Sequence, residues 1–328
     1  MAKGVILSGM RPTGRLHLGH YSVLENWARL QEDYKCYFMV ADWHALTTSF
    51  DDTSSIKENS REMVVDWLSA GLDPEKSSIF LQSQVHEHAE LHLVLSMLTP
   101  IAWLERCPTF KEQVQQLGEQ GKDINTYGFL GYPLLQAADI LIYRANAVPV
   151  GEDQLPHLEM TREVARRFNY MYDTKLFPEP KAELAKVSLL PGTDGRKMSK
   201  SYNNVINIGA STEEIQAKVR SMITDPARVR KNDPGSPEVC VVHAFQKIYN
   251  PDQLEENASE CRKGTMGCVE CKKRLALKLD EFMAPCRERR ERIEANPGLL
   301  DEILAAGQKQ AAAAAKKTMT EVRAALKF

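Results

Sequence analysis

A histidine-containing turn near the start of the sequence carries residues suited to binding phosphate. The turn-rich segment Arg11 to Gly14 leads into His17-Leu18-Gly19-His20, between a predicted strand and a predicted helix. At such a junction the free N–H groups and the dipole of the helix favour an anion, and the imidazoles can donate hydrogen bonds to a polyphosphate. Because Gly19 has no side chain, a flat base could lie on the backbone. Taken alone, the motif could also be a turn with two solvated histidines.

A second polar segment carries two lysines that could act on the same phosphates. Asp194 to Ser201 forms a polar loop after Pro191-Gly192, and two residues separate Lys197 from Lys200. Such a pair of cations can close over a triphosphate and neutralise a departing pyrophosphate, which stabilises the transition state electrostatically. Taken alone, the segment could also be a solvated basic loop.

Four cysteines cluster in the second half of the chain. They follow the spacing C-x20-C-x6-C-x2-C at Cys240, Cys261, Cys268 and Cys271, and the last two can reach one metal centre. Four thiolates suit either Zn²⁺ or a [4Fe-4S] cluster, and the spacing does not separate the two. Buried free thiols are the alternative, because cysteine often behaves as a small apolar residue.

The first half of the sequence alternates strand-like and helix-like segments, which must position the two polar motifs. Apolar runs and helical periodicity predict strand, helix, strand, helix and strand at 5–8, 19–32, 36–41, 56–70 and 79–81. This alternation predicts an α/β fold with a doubly wound, Rossmann-type parallel sheet, whose ligands bind at the carboxyl ends of the strands. After about residue 205 strand signals almost vanish, and charged helical patterns predict an all-helical C-terminal region.

Length and composition agree with this division and exclude several classes of protein. The chain has 328 residues, of which 43% are hydrophobic and 26% charged, and it has no apolar stretch long enough to cross a bilayer. We expect a catalytic domain at 1–205, a helical domain with the cysteines at 206–297 and a C-terminal helix at 298–328. The first apolar run is too short for a secretory signal, so we expect a cytoplasmic protein. Because the net charge is −2, a nucleic-acid partner must be held by a local basic patch.

The two polar motifs, in this order, resemble the signature motifs of class I aminoacyl-tRNA synthetases. His17 to His20 is similar to their HIGH element, and Lys197 to Ser201 reads KMSKS. Three further segments narrow the resemblance to the bacterial tryptophanyl-tRNA synthetases, and the similarity covers nearly the whole chain. These segments are Asp42 to Thr47, Tyr132 to Ile140 and Val148 to Gln154.

The resemblance implies a tryptophan site. Indole is a large apolar ring with one N–H donor, so a selective pocket needs apolar walls and one acceptor. By resemblance Asp139 is that acceptor, although a carboxylate on a helix surface is the alternative from the residues alone. Tyr132 and Gln154 resemble the residues that bind the ammonium group. The other implied tryptophan contacts are Leu7, His44, Gln136, Val148 and Val150.

The resemblance also implies a site for ATP with Mg²⁺. His17, His20, Lys197 and Lys200 are the implied catalytic residues. Arg11 is a departure, since many relatives have glutamine there, and we expect it to reach a phosphate or the carboxylate. Leu189 or Leu190 is expected to touch adenine. The other implied ATP contacts are Pro12, Thr13, Gly19, Gly151, Glu152, Asp153, Met198, Ser199 and Ser201.

Some members of the family carry a [4Fe-4S] cluster on a similar cysteine element, so the resemblance favours that cluster over zinc. Here the gap before the element is about two residues shorter. Because Arg262, Lys263, Lys272, Lys273 and Arg274 flank the cysteines, we expect this region to bind tRNA near the anticodon, although a solvated charged face is the alternative. The family also implies a homodimer with its interface in the α/β domain, and no membrane or DNA partner.

The implied reaction is the ATP-dependent activation of tryptophan and its transfer to the cognate tRNA. Tyrosyl-tRNA synthetase is the nearest rival, because it shares both nucleotide motifs and has an aspartate on the corresponding helix. The apolar Leu7, Val148 and Val150 favour indole over phenol. A small-molecule nucleotidyltransferase and a non-catalytic RNA-binding paralogue are the remaining alternatives, and the intact lysine motif argues against the second.

Overall fold

A parallel five-stranded sheet forms the centre of the first half of the chain. The computed structural model describes residues 2–107, 114–115, 118–119, 123–184 and 190–328. The strand order is β3-β2-β1-β4-β5, and every described pairing within the sheet is parallel. The predicted fold class is therefore confirmed. The strands are β1 (Val5–Met10), β2 (Lys35–Val40), β3 (Ser77–Leu81), β4 (Ala147–Val150) and β5 (Lys181–Leu184).

Helices connect these strands and continue alone after β5. In the α/β part they are α1 (Leu18–Leu30), α2 (Asp42–Ser49), α3 (Ile56–Ser69), α4 (Glu87–Ser96), α5 (Ile101–Glu105), α6 (Tyr127–Leu130), α7 (Tyr132–Ile142) and α8 (Leu155–Met171). The C-terminal part contains α9 (Thr212–Ser221), α10 (Val241–Tyr249), α11 (Leu254–Arg262), α12 (Cys268–Glu294) and α13 (Pro297–Leu326). In the parts of the chain that the structure describes, no helix combines the length and apolarity of a membrane span.

The strand order explains where a ligand can bind. The chain moves outward from β1 to β3 and then returns to the other side of β1 at β4, so the order reverses between β1 and β4. At such a switch point the loops after the two strands separate and leave a crevice at their carboxyl ends. The loop from Arg11 to His17 follows β1, and Gly151 follows β4, so both reach this crevice.

Large apolar side chains cover both faces of the sheet. On one face Trp27 of α1 stacks on Phe38 of β2 with ring centroids 4.7 Å apart, and Trp67 of α3 meets Trp27 edge-on at 5.3 Å. On the other face Phe80 of β3 is buried among residues of α4 and α7. Aromatic pairs of this kind bury large areas in fixed geometry and hold the helices that flank the crevice.

The C-terminal helix returns to the α/β part. Helix α13 packs on β3 so closely that a Cβ on Gly307 would lie 2.0 Å from the Ile79 carbonyl oxygen. Ser78 also donates a hydrogen bond to Gln310 Oε1 at 2.7 Å. The helix predicted at 298–328 therefore covers the edge strand of the sheet, although the boundaries of the three parts remain a prediction.

Candidate active site

The two histidines of the first motif cap the start of α1. His17 Nδ1 accepts a hydrogen bond from the Gly19 amide at 3.2 Å, and His20 Nδ1 accepts one from the His17 amide at 3.4 Å. Both neutral rings therefore carry their proton on Nε2. Burial, with the nearby charges of His20 and Lys200, lowers the pKa of His17 to about 3. Burial and Lys200 lower the pKa of His20 to about 4, so both imidazoles are neutral donors at physiological pH.

The two sequence motifs lie side by side. The Leu18 amide donates to the Ile206 carbonyl at 2.9 Å, and the Ile208 amide donates to the Leu16 carbonyl at 2.9 Å, which makes a short antiparallel bridge. Lys200 Nζ also donates to the Thr13 carbonyl oxygen. The main chain of the histidine turn is therefore joined to the Lys200 side chain of the lysine loop and to the backbone of the segment that follows the loop.

Gly19 lies where the two motifs meet, and the space beside it is narrow. A Cβ on Gly19 would lie 3.0 Å from the His17 ring and 3.4 Å from Met198 Sδ. Met198 itself is buried. A side chain at position 19 would press on the His17 ring and on Met198, so glycine favours close contact between the histidine turn and the lysine loop. This contact supplements the sequence argument, which gave Gly19 only the task of leaving room for a base.

An asparagine that the sequence analysis did not identify fixes the shape of the lysine loop. The Ser199 amide donates to Asn204 Oδ1 at 2.8 Å, and Asn204 Nδ2 donates to the Lys197 carbonyl at 3.1 Å and to Asp194 Oδ1 at 2.7 Å. Asn204 is buried, whereas the Lys197 and Ser201 side chains are exposed. The two-asparagine run after KMSKS was the available signal, since asparagine side chains often bond neighbouring backbone.

A cavity of about 340 Å³ opens at the carboxyl ends of β1 and β4. Leu7, Val148 and Val150 contribute apolar surface, and the His44 imidazole also lines the cavity. Arg11 and Gly151, expected to contact ATP, border the same space. The remaining residues predicted to bind tryptophan also line it, namely Tyr132, Gln136, Asp139 and Gln154.

Asp139 is a buried and fully oriented carboxylate at this cavity. His88 Nδ1 and Gln82 Nε2 donate to its Oδ1 at 2.6 and 2.8 Å, and His44 Nε2 donates to its Oδ2 at 2.8 Å. Burial alone would raise the pKa of Asp139, but the hydrogen bonds and charges of His44 and His88 hold it below its ordinary value. The structure thus places an ionised acceptor among apolar walls. No local sequence signal identified Gln82 or His88.

Three polar side chains that line the same cavity form a hydrogen-bonded chain. The Tyr132 hydroxyl lies 2.8 Å from His157 Nε2, and His157 Nδ1 donates to Gln154 Oε1 at 2.9 Å. Burial lowers the pKa of His157, so the ring is neutral and its Nε2 accepts the hydroxyl proton of Tyr132. The oxygen lone pairs of Tyr132 and Gln154 are therefore oriented to accept hydrogen bonds. His157 was not among the predicted site residues.

The other residues expected to contact ATP occupy varied positions. Pro12 is buried and Thr13 is exposed beside Lys200, while Glu152 and Asp153 are exposed in a short 3-10 helix after β4. Leu190 is buried in the apolar core. Its alternative, Leu189, lies outside the described residues. The contacts of all these residues with ATP remain predictions.

The four clustered cysteines lie at helix ends and are half-buried. Cys240 precedes α10, Cys261 lies at the end of α11, and Cys268 and Cys271 are in the first turn of α12. Burial, together with the charges of the other three thiols, raises the pKa of Cys271 to about 11. Across the described ranges, His, Cys, Asp and Glu side chains form no group of three or more arranged to hold a metal ion. The structure therefore does not show the predicted metal site at the four cysteines.

Comparisons with known proteins place the chain in a family. The family model of class I tRNA synthetases (W and Y) matches residues 2–284. The tryptophan–tRNA ligase of Thermotoga maritima is 52% identical over 325 residues, covering 98% of both chains. That of Aquifex aeolicus is 44% identical, covering 98% of this chain and 99% of its own.

A solved structure agrees with these relatives. The tryptophanyl-tRNA synthetase of Campylobacter jejuni, crystallised with ADP and tryptophan, is 32% identical and matches with a TM-score of 0.88, covering 99% of this chain and all of its own. This chain belongs to the class I tRNA synthetases of the tryptophan and tyrosine group and, within it, to the tryptophan–tRNA ligases. It is therefore an aminoacyl-tRNA synthetase, as the sequence predicted.

Proposed function

We propose that this enzyme activates L-tryptophan with ATP and transfers the tryptophanyl group to its cognate tRNA. The observation that carries the proposal is the ionised Asp139 carboxylate, held by three donors in a cavity with apolar walls. Indole needs one hydrogen-bond acceptor and apolar contact on its faces. The relative from Campylobacter jejuni was crystallised with tryptophan and ADP, which supports adjacent amino-acid and nucleotide sites in this fold.

The amino acid would be held at both ends. The indole N–H donates to Asp139, and Leu7, Val148 and Val150 contact the ring. His44 and Gln136 complete the contacts. The Tyr132 and Gln154 oxygens accept from the ammonium group, because His157 already receives the Tyr132 hydroxyl proton. The tryptophan carboxylate is then left to face the nucleotide loops, in which Arg11 and Gly151 border the cavity.

Activation is an in-line displacement at the α-phosphate. A carboxylate oxygen of tryptophan forms a bond to that phosphorus, and the bond to the bridging oxygen of the β-phosphate breaks, which releases pyrophosphate. The Nε2 protons of the neutral His17 and His20 donate to phosphate oxygens, and Lys197 and Lys200 neutralise the charge that develops on the leaving group. When bound with ATP, Mg²⁺ would supply additional charge neutralisation. A terminal ribose hydroxyl of tRNA then attacks the carbonyl carbon, and AMP leaves.

We propose that the nucleotide binds between the two motifs. Gly19 and Met198 form the meeting point of the loops. The nucleotide would also contact Pro12, Thr13, Glu152, Asp153, Leu190, Ser199 and Ser201.

Amino-acid-dependent exchange of labelled pyrophosphate into ATP tests this function. We expect exchange with tryptophan and at least about a hundredfold lower kcat/KM with tyrosine, because the phenol ring fills the apolar walls less completely and its hydroxyl does not match the position of the indole N–H. Tyrosine-preferring exchange would instead identify a tyrosyl-tRNA synthetase. The absence of exchange with any amino acid would favour a nucleotidyltransferase or a non-catalytic RNA-binding protein.

We further propose that the four cysteines bind a [4Fe-4S] cluster, with zinc as the alternative. Cys240, Cys261, Cys268 and Cys271 are the soft ligands that either metal centre prefers. One feature beside them fits an additional group: Arg228 donates to Cys261 Sγ at 3.6 Å and keeps a buried Nε without a partner. Gly235 lets the backbone approach the same sulfur, because a Cβ there would lie only 2.8 Å from it.

The absorption spectrum of anaerobically purified protein, with iron, sulfide and zinc assays, tests the metal. A broad band near 400 nm with about four irons and four sulfides per chain supports the cluster. About one zinc per chain in a colourless protein supports zinc instead. Metal-free, active protein would contradict both.

The surface around the cysteines is proposed to bind tRNA near the anticodon. The side chains of Lys263 and Lys273 are exposed, and that of Arg262 is exposed although it pairs with Glu238. Lys272 and Arg274 are half-buried, and Arg274 bonds to Asn257 and Glu260. We propose the exposed cations as the phosphate contacts, since charge neutralisation of phosphates dominates such affinity.

We also propose a homodimer that assembles in the cytoplasm through the α/β domain. Leu93 of α4, Met97 just after α4, Ile101 of α5 and Tyr127 of α6 are large apolar residues with 56%, 77%, 64% and 71% of their surface exposed. Exposed apolar residues on neighbouring helices are typical of subunit interfaces. Light scattering of the purified protein is expected to give about twice the 37.0 kDa chain mass. A monomer at micromolar concentration would contradict the dimer.

A further inference from the structure

A buried ion pair joins the C-terminal helices to the α/β part. Asp66 near the end of α3 is completely buried, and Arg290 near the end of α12 is 8% exposed. Arg290 Nη1 donates to Asp66 Oδ1 at 2.7 Å. The guanidinium also pairs with Glu62 at 2.6 Å and with Glu294 at 2.7 Å. Arg290 thus has carboxylate partners on both helices, and the pair is shielded from water.

The other oxygen of Asp66 bonds to the histidine turn. The Leu16 amide donates a short hydrogen bond to Asp66 Oδ2. Leu16 immediately precedes His17, whose ring caps α1. A buried carboxylate on α3 therefore fixes the backbone at the point where the turn enters the helix, and Arg290 supplies the cation for that carboxylate.

Arg290 also contacts the segment that follows the lysine loop. Gly209 has a φ of +68°, and a Cβ there would lie 3.3 Å from Arg290 Cδ. The aliphatic part of Arg290 thus packs beside the segment 206–209. In this segment Ile206 and Ile208 pair with the main chain of Leu18 and Leu16. Arg290 consequently supports the histidine turn in two ways. It bonds to Asp66, which holds the turn, and it directly contacts the segment that pairs with the turn.

The charge of Asp66 depends on its neighbours. Burial raises the pKa of Asp66 to about 6, while the Leu16 hydrogen bond and the positive charges of Arg290 and Arg15 act in the opposite direction and Glu62 adds to the rise. Lys200 also faces this group, since Asp66 raises the Lys200 pKa against the effect of burial. Without Arg290, the carboxyl would be protonated over more of the neutral range.

We infer that Arg290 is a positioning residue for the reaction: through Asp66 it holds the Leu16 amide, and with it the His17 and His20 donors, in the geometry that the ATP phosphates require. This inference rests on the proposed binding of ATP to the histidine turn. Arg290 is not among the residues that line the tryptophan cavity, so its effect should reach the nucleotide through the turn and leave that cavity unchanged.

Arg290→Met tests the inference by steady-state kinetics. It keeps an apolar stem beneath Gly209 and removes the charge. We expect kcat/KM for ATP in pyrophosphate exchange to fall by about ten- to a hundredfold, since small displacements of positioned groups cost rates of this size. The KM for tryptophan should change by less than about twofold, because the Asp139 cavity is untouched. The pH dependence of kcat/KM for ATP should also shift between about pH 6 and 8, as Asp66 takes up a proton more readily.

Two variants separate positioning from general stability. Arg289→Met removes the neighbouring arginine, which donates to the Ser69 carbonyl at the end of α3 and does not reach Asp66. It should lower the melting temperature with little change in the KM for ATP. Asp66→Asn added to Arg290→Met removes the unpaired buried charge and leaves an amide oxygen for Leu16, so the double variant should recover part of the lost ATP kinetics.

Amide hydrogen exchange of the apoprotein gives a readout that does not depend on activity. A peptide spanning the histidine turn should exchange faster in Arg290→Met than in Arg289→Met or wild type. Equal rates of amide hydrogen exchange in all three proteins would overturn the positioning role. So would equal losses of kcat/KM for ATP and for tryptophan in Arg290→Met. If wild type showed no tryptophan-dependent exchange of pyrophosphate, the proposed function would fail, while the effect on turn mobility would stand or fall separately.

Discussion

The proposed substrate site and the cysteine region differ in how completely the chain organises its own polar groups. Around Asp139 every carboxylate oxygen already has a donor, and the rings of His17 and His20 are oriented by backbone amides. Beside the cysteines, Arg228 keeps a buried donor without a partner, and the described thiols are not gathered into a metal-binding group. A site that binds and releases substrates in each turnover must be preorganised by the protein, as the groups around Asp139 are. The proposed metal ligands in the cysteine region would instead be drawn together when the metal binds.

Removing the Asp139 carboxylate should produce the largest effect. Asp139→Ala leaves the His44, His88 and Gln82 donors and the indole N–H without their acceptor, so we expect a fall of about 10³-fold in kcat/KM for tryptophan in pyrophosphate exchange. Asp139→Asn, which keeps the size of the side chain, should still lose about a hundredfold. Circular dichroism controls for folding. Near-normal kinetics in a folded Asn variant would remove Asp139 from the site.

The lysine loop should show the next largest effect. Lys200→Ala removes a cation that lies against the histidine turn, and we expect kcat for exchange to fall by about 10²-fold with little change in the KM for tryptophan. Lys175→Ala, at an exposed lysine between α8 and β5, is the control and should keep the wild-type rate. A Lys200→Ala enzyme with full exchange activity would contradict the role in pyrophosphate departure.

The cysteine region should respond in the opposite way. Cys268→Ser should abolish the absorption near 400 nm and reduce tRNA charging severalfold, while pyrophosphate exchange stays within about twofold of wild type, because the cysteines lie outside the substrate cavity. Cys36→Ala is the matched control: Cys36 is buried in β2, and burial raises its thiol pKa to about 12. If both variants kept the same metal content, the proposed ligand set would be wrong.

The neutral histidines predict the smallest effect, on stability. The pKa values of His17 and His20, about 3 and about 4, lie below the ordinary value of 6.5. Below about pH 6.5 these imidazoles therefore bind protons in the unfolded chain but stay neutral in the folded chain. Stability should therefore fall as the pH drops from about 6.5 towards 4. In His20→Gln, the decrease in melting temperature from pH 7 to pH 5 should be smaller than in wild type by about 2 °C. If His20→Gln and wild type lost the same amount of melting temperature between pH 7 and pH 5, the buried, neutral state of His20 would be contradicted.

Local patterns explain which parts of this account the sequence could supply. Strands β1 to β3, helix α3 and both polar motifs were predictable because alternation, helical periodicity and turn residues act over a few positions. The partners of Asp139 were not, since Gln82 lies 57 residues away and His88 51 residues away, and the tertiary packing of α7 against α4 and the end of β3 brings them together. The same holds for Arg290, which meets Asp66 across 224 residues.

A crystal structure of the enzyme with L-tryptophan and a non-hydrolysable ATP analogue tests the central claim most directly. We expect the indole nitrogen to lie about 2.7–3.2 Å from an Asp139 carboxylate oxygen, with the triphosphate between the His17–His20 turn and Lys200. An indole bound outside the cavity, or with its nitrogen bonded to a group other than Asp139, would contradict the proposed recognition of tryptophan.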